Sequence, residues 1–425
     1  QYQVIDLQTG QPDDDQPYTE TSGRLERHET GTDQHGTYYE QHEIVFRAPN
    51  GYFCYFGGEV HAEHAGMDPI YGCGFWAGVC VPWSTTSVGT TGSANDIAYD
   101  AQGNLHFAWF DHTNGDLRYA EQSAATGQWS AARVVDAESP EVGQYVSMAL
   151  DSSGRPGLAY YDAYNADLKY ASYNGVTWDV ETVHSRNSTG MYPSLAYDGS
   201  DNPVIAYYQP TGGFLLSASR SGGAWGFAII DGEAAFAGGP AGTEDVGRYP
   251  SLAMHPATGQ WAVAYENTST GVFKYAERSG GGTWTAVTYD ADTQNGGGYV
   301  SLAFDALNAP CVSYYDSHPA DLKYARRSGG AWQCETVAAK SSQGLYTSLW
   351  FEGSDARIAY WFKNGDNLVL AGQSGGTWTF DTLVPSAGRE ARVAINPLKP
   401  LGGTDYLAAS WYVGSSQGLG CGVVM

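Results

Sequence analysis

Three groups of residues in this chain have types and spacings suited to chemistry. Glu43, Asp96 and Arg392 stand where a recurring phrase otherwise carries serine (Ser147, Ser194, Ser251, Ser301, Ser348). Half-buried charge is costly unless paired, so these three make either a salt-bridged plug or a polar ligand site. Two carboxylates could also act as acid and base in glycoside cleavage. The second group is Tyr145, Tyr192, Tyr249, Tyr299 and Tyr346, with Asp111, Asp162 and Asp316. Phenol rings stack on sugar faces or on protein side chains, and carboxylates accept from hydroxyls or hold a cation such as calcium. The structural alternative is that repeated tyrosines pack on one another and that an Asp opening a hairpin caps its own turn. The third group is His61, Glu63 and His64, with Met67 nearby, a donor mix that suits a transition metal. It falls in a long loop, where function often sits. Its spacing is not HExxH, and neighbouring histidines in a solvated loop are otherwise simply polar.

The elements that position these residues come from a repeat. A strand is centred on Val45, Ala98, Ala149, Ala196, Ala253, Ala303, Trp350 and Ala394, at intervals of 44 to 57 residues. The copy that begins GQYVSMALD at Gly143 reads as four short strands: apolar and polar residues roughly alternate, and Gly, Pro, Asn and Asp fill the gaps. Copies open on a Gly-x-Tyr-x-Ser phrase, carry an Asp-x4-Asp hairpin at Asp111, Asp162 and Asp316, and place Trp129, Trp178, Trp225, Trp284, Trp332 or Trp378 before the last strand. Four-stranded units of this length close radially into a β-propeller; a linear solenoid would want polar caps. The pattern predicts one all-β domain over 1–425, an eight-bladed β-propeller with blades starting near 43, 95, 145, 192, 249, 299, 346 and 390. Residues 1–8, with the strand Gln1–Leu7, would supply the missing outer strand of the last blade, and 9–40 would be a long loop. A seven-bladed ring closed by a strand near Val81–Val88 is the alternative, with 1–75 as an appendage.

Composition narrows the partners. A formal net charge of −25, with 21 basic residues, argues against nucleic acid and against an anionic membrane surface. No apolar run approaches the ~20 residues that span a bilayer, so membrane insertion is not expected. The six cysteines (Cys54, Cys73, Cys80, Cys311, Cys334, Cys421) lack CxxC spacing, and the first three predict at least one disulfide. Asn187-Ser-Thr and Asn267-Thr-Ser are glycosylation sequons, and the chain opens on Gln1 without Met. A secreted or cell-surface protein is expected.

The phrases SRSGGAW at 219, RSGGGTW at 278, RSGGAW at 327 and QSGGTW at 373, with YYD and DLKYA, resemble degenerate Asp-boxes of secreted bacterial sialidase-like (BNR) propellers. The resemblance covers ~94–384, implies the fold, and places those turns between third and fourth strands. The Asp is absent from all four. Sialidase catalysis is not implied: Phe46-Arg47-Ala48-Pro49 resembles the family's arginine phrase, but its Arg follows a strand that it should precede.

The expected function is a non-catalytic extracellular binding protein for a glycan or a protein partner, working through the face near the eighth, first and second copies. The alternatives are a glycoside hydrolase or lyase, and a structural subunit of an extracellular assembly or oligomer with the 9–40 and 232–246 loops as contacts.

Overall fold

The computed structural model describes residues 92–424 except 187, 233–243, 281, 289–295, 340–341, 385–388, 400–406 and 414–417, together with the backbone of short strands between 19 and 87. Gln1–Leu7, Glu43, Asn187 and the His61, Glu63 and His64 loop lie outside the described residues, as do the side chains of Cys54, Cys73 and Cys80. The chain divides into two compact units, residues 1–86 with 422–425 and residues 87–421.

The first unit contains antiparallel hairpins. Thr19–Thr21 pairs with Arg24–Glu26, His28–Asp33 with Gly36–Gln41, Ile44–Arg47 with Phe53–Phe56, and Cys73–Trp76 with Val79–Ser87. The copy expected around Val45 is thus a two-stranded sheet.

The second unit carries six four-stranded antiparallel sheets in chain order, called blades A to F. They span 92–136, 142–184, 191–231, 246–288, 296–338 and 343–384. A seventh, G, contains Arg389–Ile395 paired antiparallel with Leu407–Val413. No helix occurs among the described residues. Blade B shows how sequence makes the unit. Pro156–Asp162, PGLAYYD, is buried at every position because a neighbouring sheet covers each face. The outermost strand, Trp178–His184, is largely half-exposed. The Gly-Gly pairs of the SGGxW phrases form two-residue turns, with φ of 59° and 86° at Gly222 and Gly223 and the flanking Ser221 paired to Ala224. This is a type I′ hairpin, which needs two left-handed residues and no aspartate. Aspartates that accept backbone N–H groups sit instead in the turns between first and second strands, as Asp151 does from Ser153 and Arg155 at 2.9 Å each.

The core lies between blades. Leu117 and Tyr119 of A pack with Val146, Leu158 and Tyr160 of B, and the same arrangement recurs from B to F. The recurring tryptophans are part of it: Trp178, Trp225 and Trp332 meet Tyr119, Tyr170 and Tyr275 edge-on at 5.2–5.5 Å, the geometry that aligns ring edge with ring face. The serine of Gly-x-Tyr-x-Ser is a latch. Ser147, Ser194, Ser251 and Ser301 each accept, through Oγ, the N–H of the next blade's first strand (Leu195, Leu252, Leu302, Leu349) at 2.9–3.1 Å.

Blade G meets blade A directly. Glu390 accepts from the backbone N of Ala94, its carbonyl accepts from Asn95 Nδ2 at 3.1 Å, and Ser410 Oγ donates to Asn95 Oδ1. Blades A and G are thus joined side by side within the second unit.

Candidate functional site

The Gly-x-Tyr-x-Ser phrase folds as a bulge. Pairing between first and second strands slips by one residue between Gln144 and Ser147, and likewise in blades C, D, E and F. The extra residue is the tyrosine, held left-handed with φ of 55°, 51°, 48°, 55° and 53° at Tyr145, Tyr192, Tyr249, Tyr299 and Tyr346. The glycine two places earlier makes this possible. Gly190 has φ of 111°, and a Cβ there would stand 2.6 Å from Leu168 Cα in the preceding blade. Left-handed bulky residues are uncommon and strained, and they cluster where the surroundings over-determine them.

Five such bulges bring the phenols into one arc. Ring centroids lie 4.3 Å apart for Tyr145–Tyr192, 4.5 Å for Tyr192–Tyr249, 4.6 Å for Tyr249–Tyr299 and 4.3 Å for Tyr299–Tyr346. The equivalent left-handed residues in blades A and G are Ala94 and Glu390, with φ of 46° and 58°. The mouth is therefore five tyrosines, one acid and a gap. Burial pushes the Tyr145, Tyr249 and Tyr346 hydroxyls well above the ordinary phenol range, and neighbouring phenols and Glu390 add to the shift. These groups are neutral hydroxyls at any physiological pH.

Asp96 and Arg392 come together at the A–G seam, while Glu43, expected between them, lies outside the described residues. Asp96 takes the latch role of the missing serine: Oδ2 accepts from Met148 N at 2.8 Å and Oδ1 from Ile97 N at 2.9 Å. Desolvation raises its carboxyl pKa while the Arg392 charge pulls it back. Asp111 and Asp162 are turn caps. Asp162 Oδ1 accepts from Tyr164 N and Asn165 N at 3.1 Å each, and Oδ2 from Ser139 Oγ at 2.7 Å; Asp111 accepts from Thr113 N at 3.0 Å and ion-pairs Arg118 at 2.8 Å. No cluster of His, Cys, Asp and Glu suited to a metal occurs among the described residues. Asn267 of the second sequon is buried and donates to Glu244 at 3.0 Å, so its amide is not open to a glycan.

Sequence reasoning missed a second polar corner, in blade D. Glu266 pairs across the strands with Arg248, whose Nη2 donates to Asp245 Oδ2 at 3.1 Å; Tyr208 donates to Asp245 Oδ1 at 2.6 Å. The signal was available, since Glu266 stands where other copies have Tyr161, Tyr208, Tyr315 or Trp361.

No family model matches the chain, and no curated protein does. Solved structures do. An ulvan lyase from a new family of polysaccharide lyase aligns with TM-score 0.57 at 12% identity, covering 80% of this chain and 95% of that one. A fucose-recognising lectin from Aleuria aurantia, described as a six-bladed β-propeller, aligns with TM-score 0.46 at 15% identity, covering 70% and 96%. A protein of unknown function from Dyadobacter fermentans gives 0.46 at 10%, covering 70% and 96%. At these identities the likeness concerns fold alone. The class is an all-β protein of β-propeller type.

Proposed function

We propose that this chain is an extracellular glycan-binding protein that receives its ligand at the tyrosine-lined mouth of a seven-bladed propeller formed by residues 92–424. The observation that carries the reading is the unbroken contact of five phenols, each half-buried, around one mouth. Neutral phenols offer apolar faces for sugar C–H groups and hydroxyls for sugar oxygens. A glycan is also what one fold neighbour holds: the ulvan lyase has been solved bound to GlcA(1-4)Rha3S.

A lyase is the second reading, favoured by the acid and guanidinium at the A–G seam. Against it, a phenol acting as base must ionise near the working pH, and burial shifts Tyr145, Tyr249 and Tyr346 the other way. The test is a glycan array on the full chain, followed by calorimetry on the hits with Tyr192→Ala. Binding that falls at least about tenfold in the variant, without new ultraviolet absorbance from unsaturated uronate products, supports the binder. Turnover of a uronate polysaccharide would replace it with the lyase.

A further inference from the structure

Glu266 breaks the aromatic lining at one place. On the second strand, opposite the middle residue of Gly-x-Tyr, blades B, C, E and F carry Tyr161, Tyr208, Tyr315 and Trp361, each 6.2–6.4 Å from its own blade's mouth tyrosine. Blade D has a carboxylate there instead. The next blade makes room for it: Gly298 stands where other copies have Gln144, Met191, Arg248 or Leu345, and a Cβ on Gly298 would meet the Glu266 carboxyl at 3.9 Å. A larger side chain at 298 would reach across the carboxylate.

Glu266 is half-buried and makes no hydrogen bond or ion pair among the described residues. Desolvation raises its pKa, and Arg248 alone of the nearby charges opposes that. The Arg248 guanidinium lies 5.5 Å above the Tyr208 ring, and its Nε is buried with no hydrogen-bond partner. A carboxylate that is accessible yet without a hydrogen-bond partner is expensive to keep unless something outside the chain completes it.

We propose that Glu266 and Arg248 anchor the ligand, and that the ligand is a neutral sugar with adjacent free hydroxyls. Glu266 accepts from a vicinal hydroxyl pair, Arg248 donates to a sugar oxygen, and the Tyr249 ring supplies the stacking face. Neutrality follows from the charges near the mouth: Glu266, Asp245 and Glu390 outnumber Arg248 and Arg392, on a chain whose net charge is −25. An acidic sugar would enter against that field. The inference rests on the glycan-binding reading above.

The test is calorimetry with matched pairs, mannotriose against trimannuronate and galactotriose against trigalacturonate, on wild type, Glu266→Gln, Gly298→Leu and Tyr249→Ala. The expected result is that at least one neutral trisaccharide binds about tenfold or more tighter than its uronate. Glu266→Gln should weaken the neutral ligand about tenfold and narrow the preference over the uronate, with an unchanged thermal midpoint. Gly298→Leu, which covers the carboxylate without removing it, should weaken binding similarly. Loss of binding in Tyr249→Ala with no effect of Glu266→Gln overturns the anchor and leaves the mouth reading standing. Tighter binding of a uronate overturns the neutral-sugar assignment. Wild type that binds no glycan on the array sinks both.

Discussion

The left-handed tyrosines make an order of stabilities that ordinary strand positions would reverse. Consider Tyr249→Ala and Tyr249→Gly. Both remove the ring and its contacts with Tyr192 at 4.5 Å and Tyr299 at 4.6 Å. Two tilted aromatic contacts of this kind contribute about 0.5–1.5 kcal/mol each, so either truncation should cost about 1–3 kcal/mol. The variants then differ only in backbone. At φ of 48° a Cβ clashes with the neighbouring carbonyl, a cost of about 1–2 kcal/mol that glycine escapes. Glycine gives part of this back through its looser unfolded chain, about 0.5–1 kcal/mol. The net expectation is glycine above alanine by about 0.5–1 kcal/mol, a difference of roughly 1–2 °C in thermal midpoint for a unit of this size. Val263, in the buried second strand of the same blade, is the control: there alanine should exceed glycine. Thermal melts of the four variants by circular dichroism decide it. Alanine equal to or above glycine at 249, with the control behaving normally, would refute the claim that the mouth residues are strained.

Three further outcomes follow from the same structure. Lys169→Met should cost about 3–5 kcal/mol, because it strands the fully buried Asp136 carboxylate, which Lys169 Nζ meets at 2.6 Å and Tyr160 at 2.7 Å; denaturant unfolding measures it. Burial alone would lower the Lys169 pKa, but hydrogen bonds to Asp136 and Glu138 outweigh it and raise the folded value; the pair's stabilisation is full below about pH 10.4 and is lost as pH rises through that folded value, a limb that Lys169→Met should flatten. Asp162 has a depressed folded pKa, since the Ser139 and Asn165 hydrogen bonds overcome the opposing effect of burial; its contribution is present above about pH 3.9 and fades as pH falls, so Asp162→Asn should weaken the acid dependence of the thermal midpoint. Gly190→Ala should destabilise by about 1–3 kcal/mol and weaken ligand binding, because its methyl group meets backbone at 2.6 Å and shifts the bulge that aims Tyr192; a melt and a titration together check both.

The repeat was legible because each of its letters has a local job. Glycine allows the bulge, serine latches the next blade, aspartate caps its turn, and tryptophan covers the preceding tyrosine; such residues recur because each blade poses the same steric problem. Asp96 and Arg392 could each be picked out as a departure from the repeat, but only the placement of blade G beside blade A brought the two together. The SGGxW turns were legible in place but not in cause, since a Gly-Gly pair satisfies a two-residue turn by conformation alone. Glu266 was overlooked because a single glutamate in a strand looks like a solvent-facing residue until its neighbours are placed.

The order of residues along the chain determined the four-stranded unit, its turns and the identity of the residue at each blade's start, because these depend on contacts within a few tens of residues. What turned five separate tyrosines into one lined mouth, set Glu390 against Ala94, and left Glu266 uncovered beside Gly298 was the closure of sheets far apart in sequence. That closure depends on how successive sheets twist and pack, a property no single repeat contains, and so only the tertiary structure could decide it.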